Sequence, residues 1–259
     1  MLKETLLKAT EAGAQVLKHF FNGQFTVANK SMVNDLVTEA DLASEKVILE
    51  IIKEDYPDHF ILSEEKGEIK MDSEYKWFID PIDGTVNFAN GIPLCCVSIG
   101  LEKAGEMILG AVYNPIIHEF FFAEKGNGSM LNDLQIRVSN KKDVSTSCLV
   151  TGFPYSFLDM PNGPLQVFER LLRKGIPVRR LGSAAMDLCW VAAGRFDGFY
   201  EHKLQAWDSA AGALIVKEAG GKVTDFNGNE YSPYTPQVLA TNGIIHEELT
   251  KWVNNTLND

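Results

Sequence analysis

Trp77-Phe78-Ile79-Asp80-Pro81-Ile82-Asp83-Gly84-Thr85-Val86-Asn87-Phe88 decides how this chain is read. An apolar run, Trp77 to Ile79, ends in two aspartates three positions apart. A proline separates them, and a glycine, a threonine and a helix-like start follow. The pattern predicts a strand that delivers carboxylates to its C-terminal end beside a helix N-terminus. Hard divalent cations take oxygen ligands of this kind, and free backbone N–H groups at a helix start suit phosphate oxygens. Gly84 permits close backbone approach. A plainer role fits the same residues: Asp83 or Thr85 caps the following helix.

Two other segments end in acids. Phe60-Ile61-Leu62 runs into Ser63-Glu64-Glu65, and Gln205-Ala206-Trp207 runs into Asp208 ahead of a small-residue helix. Each alone fits a solvated loop acid or a first-turn aspartate balancing the helix dipole. Jointly, three apolar or aromatic runs that end in carboxylates are the parts a two-metal phosphatase needs.

Further from the motif, Leu2, Leu6, Leu17, Phe20 and Phe21 predict an N-terminal amphipathic helix. Thr38 with Asp41 has the form of a capping box opening a second helix, which Tyr56-Pro57 stops. From Leu94 to Leu131 the pattern becomes a β-meander with turns at its glycines. The remainder alternates. Strands are expected at Cys148–Val150, Val178–Leu181, Phe196–Glu201, Lys222–Asp225 and Val238–Ala240, and helices at Pro164–Arg173, Ser183–Ala193, Asp208–Ala219 and Ile244–Leu257. The expected fold class is α+β passing into α/β: two sheets layered with helices, with the site between two close-packed halves. The best boundary lies near Lys141 to Thr146, giving an N-terminal half at 1–143 and a C-terminal half at 144–259 in one unit.

The 259 residues are 45% hydrophobic, enough for a sizeable core, and no apolar run approaches membrane-span length. Met1 to Thr5 does not read as a signal peptide, so a cytoplasmic protein without a membrane partner is expected. The net charge of −11 argues against a nucleic-acid partner. It also sets a problem for an anionic substrate, which bound cations would solve by reversing the local field. Cys95, Cys96, Cys148 and Cys189 lack zinc-site spacing and read as free thiols.

With these residues in place, the chain resembles the inositol monophosphatase family of Mg²⁺-dependent, lithium-sensitive phosphatases. The resemblance rests on Trp77 to Phe88 and on Trp207-Asp208-Ser209-Ala210-Ala211-Gly212, running on to Glu218-Ala219-Gly220-Gly221. Asp35-Leu36-Val37-Thr38-Glu39-Ala40-Asp41, Glu64-Glu65 and Gly182-Ser183-Ala184-Ala185 add to it. It implies a layered αβαβα sandwich of the sugar-phosphatase kind and two to three Mg²⁺ ions. Mn²⁺ would be a substitute, and Li⁺ and Ca²⁺ would inhibit. It assigns Glu64, Asp80 and the Ile82 carbonyl to a first ion and Asp80, Asp83 and Asp208 to a second. Glu64 would serve a weaker third through water. Asp41 and Thr85 would orient and deprotonate the attacking water, with Glu64 in support, for in-line hydrolysis without a phosphoenzyme. Gly84 and Thr85 amides would hold the phosphate. A homodimer is implied in the same way, and Lys30 matches a lysine near the water-activating loop.

For the substrate, the resemblance places Glu201, seven residues before Asp208, against ring hydroxyls, with Ser183 and Ala184 lining the polyol beside Asp83 and Asp208. An inositol 1-phosphate is the expected phosphomonoester. Fructose 1,6-bisphosphate and nucleotide 3′-phosphates are alternatives within the superfamily, and a non-catalytic regulator or sugar-phosphate sensor is an alternative of another class. A haloacid-dehalogenase-type phosphatase fails on spacing, because Ile82 stands two residues after Asp80. Two departures from the family pattern stand out: Ser63 where many members have glycine, and Ala206 where many bacterial members have proline. His202 reads as a surface neighbour of Glu201.

Overall fold

The computed structural model describes residues 1–21, 23, 26–29, 36–154, 160 and 163–256. Lys30, Asp35 and Leu257 lie outside the described residues. In chain order the elements are α1 (Leu2–Phe20), β1 (Val27–Asn29), β2 (Leu36–Thr38), α2 (Glu39–Asp55), β3 (Phe60–Ser63), β4 (Gly67–Ile69), β5 (Tyr75–Asp83) and α3 (Thr85–Ala89). The meander follows as β6 (Cys96–Lys103), β7 (Glu106–Asn114), β8 (Glu119–Glu124), β9 (Ser129–Leu131) and β10 (Leu134–Gln135). The alternating part is β11 (Leu149–Thr151), α4 (Pro164–Arg173), β12 (Val178–Arg179), α5 (Ala184–Ala192), β13 (Gly198–His202), α6 (Ala206–Glu218), β14 (Lys222–Thr224), β15 (Gln237–Thr241) and α7 (His246–Asn254).

The larger sheet has the order β10-β9-β8-β7-β6-β5-β3-β4 and is antiparallel except where β3 runs parallel to β5. The smaller has the order β12-β11-β13-β15-β14. Helices α1 and α2 cover one face of the large sheet, α5 and α6 lie between the two sheets, and α4 and α7 cover the outer face of the small one. These are the five αβαβα layers expected from the sequence. Among the described residues no helix is long and apolar enough to cross a membrane.

Strand β5 shows why the layers assemble this way. Its residues from Trp77 to Asp83 are all buried, because helices cover both faces of the sheet. Trp77 and Ile79 pack into the cluster with α1 and α2, whereas Phe78 packs on Ala206 and Ala210 of α6. This is the two-residue alternation of a strand, here with apolar partners on each side. The adjacent pair Cys95 and Cys96 splits likewise, one into each core. All four cysteines are free.

The sequence reading ended the key strand at Ile79; the structure carries it to Asp83. Pro81 has no N–H to give the ladder, and the strand continues past it through a bulge. Asp80 pairs with Ser98 and Asp83 with Cys96, so β5 spends one residue more than β6 over that step. The small β1–β2 and β3–β4 pairings were not in the sequence reading, since three-residue strands carry too little periodicity to register.

Candidate metal centre and active site

The bulge decides where the acids of β5 point. Asp80 lies two residues beyond Phe78, on the side that faces α6. It is only 2% exposed, and its Oδ1 has no hydrogen-bond partner. Burial holds this carboxyl well above the usual range, and the charges of Glu64, Asp83 and Asp208 push it further the same way. Every charge that moves it is negative. A buried, orphaned carboxylate oxygen among other acids is costly alone and favourable around a cation. These residues therefore fit a divalent metal.

Asp83 does not cap the helix that follows it. Helix α3 is N-capped by Gly84 without a side-chain bond. The Asp83 carboxylate instead reaches the start of α5, a hundred residues along the chain. Oδ2 accepts from Ser183 Oγ at 2.7 Å and from Ala185 N at 2.6 Å, and Oδ1 from Ala184 N at 3.3 Å. Burial raises its pKa to about 6, against the lowering effect of these bonds. Gly84 has φ +92°, and a Cβ there would lie 2.8 Å from the Leu94 carbonyl and 3.2 Å from that of Gly182. Both facts require glycine.

Helix α2 supplies the next group. Thr38 caps it, and Asp41 Oδ2 accepts from the Thr38 amide at 2.7 Å and its hydroxyl at 2.6 Å, the capping box expected from the sequence. That bond turns Oδ1 toward Thr85, whose hydroxyl lies 3.3 Å away and 3.0 Å from the Ile82 carbonyl. On α6, Asp208 Oδ2 accepts from the Gln205 amide at 2.7 Å. Burial holds its pKa well up despite that bond, reinforced by Asp83, Glu64 and Glu201. Glu64 follows β3, and its amide donates to the Ile79 carbonyl at 3.1 Å, tying its turn to β5 one residue before Asp80. Among the described residues no group of three His, Cys, Asp or Glu side chains stands at coordinating spacing.

Glu201 ends the inward face of β13. Its carboxylate lies so close to Gly152 that a Cβ there would meet Oε1 at 2.1 Å. Burial raises its pKa to about 8, with the Asp83 charge adding and Arg180 opposing. Beneath it Asp187, one turn after Ser183 on α5, is 1% exposed with Oδ1 unpartnered. Burial, Glu201 and Asp83 hold its carboxyl well above the usual range. Ser183 caps α5 and Ala184 is its first residue.

Sequence reasoning missed Gly152, Asp187, Ser44 and Glu45. The last three share a spacing signal, each on one face of its helix: Asp187 follows Ser183 and Glu45 follows Asp41 at i,i+4, and Ser44 follows Asp41 at i,i+3. Gly152 carries no such signal, since only the fold brings it to Glu201. The reading of His202 as a surface residue is corrected. It is 6% exposed on the outward face of β13, edge-on to Phe226 at 4.6 Å, and burial lowers its pKa to about 4. Alternation along β13 puts it opposite Glu201. Both departures from the family pattern have a structural account. Ser63 donates its hydroxyl to Glu45 Oε1. Ala206 is the first residue of α6, where the amide lacks an intrahelical acceptor and proline is equally at home.

A sequence model of the inositol monophosphatase family matches residues 2–258. The Nus factor SuhB of Pasteurella multocida is 42% identical over 253 residues, spanning 97% of this chain and 95% of that one. The inositol-1-monophosphatase of Synechocystis sp. is 44% identical over 241 residues, 93% of this chain and 84% of that one. Among solved structures, the extragenic suppressor protein suhB of Bartonella henselae superposes with a TM-score of 0.91 at 36% identity, covering 99% of both chains.

Proposed function

This chain belongs to the inositol monophosphatase family, and on that premise we propose that it is a Mg²⁺-dependent phosphomonoester hydrolase acting on an inositol 1-phosphate. The observation that carries the reading is the buried Asp80, with an orphaned oxygen and the acidic charges of Glu64, Asp83 and Asp208 acting on it. Glu64, Asp80 and the Ile82 carbonyl would hold one ion, and Asp80, Asp83 and Asp208 a second, with a weaker third near Glu64. When bound there, Mg²⁺ would lower the pKa of the attacking water and neutralise charge on the phosphate and the leaving oxygen. Thr85, held between Asp41 Oδ1 and the Ile82 carbonyl, orients that water and passes its proton toward Asp41. The amides of Gly84 and Thr85 face the phosphate. Glu201 accepts from two ring hydroxyls, as a carboxylate can, with Ser183 and Ala184 beside it.

The test is phosphate release from inositol 1-phosphate, fructose 1,6-bisphosphate and adenosine 3′,5′-bisphosphate, each with and without chelator. A clear kcat/KM preference for either bisphosphate would overturn the inositol assignment, and chelator-resistant turnover would overturn the metal assignment. We also propose a homodimer in the cytoplasm, checked by light scattering and fractionation.

A second reading comes from the relatives named Nus factor SuhB: a regulatory role, with or without turnover. Turnover abolished in an Asp83→Asn chain that still complements a deletion strain would favour it.

A further inference from the structure

Glu45 is wholly buried on α2, one turn after Asp41, yet no step above uses it. Its Oε1 accepts from the Ser63 hydroxyl, from the Glu65 amide at 3.1 Å and from the Lys66 amide at 2.9 Å. These donors surround Glu64 in the β3–β4 turn. On the other side of that turn, the Glu64 amide donates to the Ile79 carbonyl. The turn is thus fixed to α2 by Glu45 and to β5 by its own backbone. One residue earlier, Ser44 Oγ donates to the Pro81 carbonyl at 3.0 Å, inside the bulge that sets Asp80 and Asp83. One turn of α2 therefore touches each segment presenting a proposed first-ion ligand: Asp41 at Thr85, Ser44 at the bulge, Glu45 at the Glu64 turn.

We infer that Glu45 is a positioning residue of the metal centre, fixing Glu64 relative to Asp80 through the backbone of the β3–β4 turn. The inference rests on Glu64 being a ligand, as proposed above. Buried carboxylates are seldom kept for stability alone, because taking the charge from water is costly, and Oε2 of Glu45 has no partner to offset that cost. Three donors converging on one oxygen do give precise placement. Groups that orient ligands typically contribute 10–100-fold to metal affinity. The Ser63 hydroxyl gives the clamp a third donor at a position where glycine would supply none.

The test is calorimetric titration of the chelator-treated protein with Mg²⁺, repeated with Mn²⁺, for wild type, Glu45→Gln, Ser63→Ala and Glu64→Gln, with thermal melts in chelator alongside. Glu45→Gln keeps an oxygen facing the three donors but loses the charge that makes those bonds strong. Its metal affinity should fall about tenfold, and that of Ser63→Ala roughly threefold, since one of three bonds is lost. If Glu64→Gln weakens binding while Glu45→Gln stays within about twofold of wild type, the positioning role is wrong. A lower Tm with unchanged affinity would equally overturn it, since that is what a purely structural carboxylate would show. If Glu64→Gln itself binds normally, the ligand assignment fails first. Should Glu45→Gln not fold, Ser63→Ala decides, and unchanged affinity there refutes the inference.

Discussion

Gly152→Ala should separate recognition of the polyol from phosphoryl chemistry. An ideal Cβ at residue 152 lies 2.1 Å from Glu201 Oε1 and 2.3 Å from both Cδ and Oε2. That is far inside contact distance, so the carboxylate must swing away. The obstructed group is the end of a flexible side chain, and Gly152 is not among the residues with positive φ. The fold should accept the methyl, with a gain of about 0.4–1 kcal/mol from the less flexible unfolded chain. Displacing Glu201 forfeits its two hydrogen bonds to the polyol, each contributing about 0.5–1.5 kcal/mol. Losing about 2 kcal/mol of transition-state binding lowers kcat/KM roughly 30-fold. The assay compares inositol 1-phosphate with phenyl phosphate, which offers no hydroxyls to Glu201, at saturating Mg²⁺. Only the first should suffer. Equal losses on both substrates, or no loss on either, would refute the placement of Glu201 in the polyol subsite.

Asp83→Asn should cut kcat at least about a hundredfold by removing a proposed ligand of the second ion. Its melt should shift by only about 1–2 kcal/mol, because one amide oxygen can still accept from Ser183 and Ala185; retained turnover contradicts the ligand role. Gly84→Ala, at φ +92° and 2.8 Å from the Leu94 carbonyl, should destabilise by about 1–3 kcal/mol or more; a urea melt within about 0.5 kcal/mol of wild type contradicts that geometry. The metal-free protein should lose stability as pH rises from about 6.5 to about 8; below that, His202 and His246, lowered to about 4 by burial, contribute stability that rises with pH and offset the acids. Glu201 and Asp83 hold protons in the fold, at pKa about 8 and about 6, that the unfolded chain has already released near its ordinary values. Each such group contributes a slope of up to about 1.4 kcal/mol per pH unit inside its own window. Urea melts in chelator at several pH values measure it, and Mg²⁺ should flatten it. A flat or rising profile above about pH 6.5 without metal sinks the electrostatic account.

The layers were legible in the sequence because their elements are long enough to show a period. Helices α1, α2, α4, α5, α6 and α7 and the meander strands fall where the apolar spacing puts them. The Thr38 to Asp41 capping box was legible because it is written within four residues. The bulge at Pro81 was not, since the apolar run stops at Ile79 while the backbone continues its pairing four residues further along β5 against three along β6. His202 was misread because its neighbour Glu201 faces Gly152, and the alternation that separates the two is visible only once β13 has a sheet on which to lie.

Local chemistry is therefore what the sequence determined by itself: which segments are strands and helices, which ends carry acids, and that three such ends are of the kind that gathers metal. A run of residues encodes its own backbone preference and its own side chains, and that suffices for this much. The tertiary structure decided which acids meet and in what environment. Asp83 finds its donors on α5, Glu201 finds its room at Gly152, and Glu45 finds the turn that carries Glu64. Desolvation and mutual repulsion, which suit Asp80 to a cation, arise only when α6 closes over β5 and Glu64, Asp83 and Asp208 come together around it. They are properties of distance and burial, which no linear order of residues specifies.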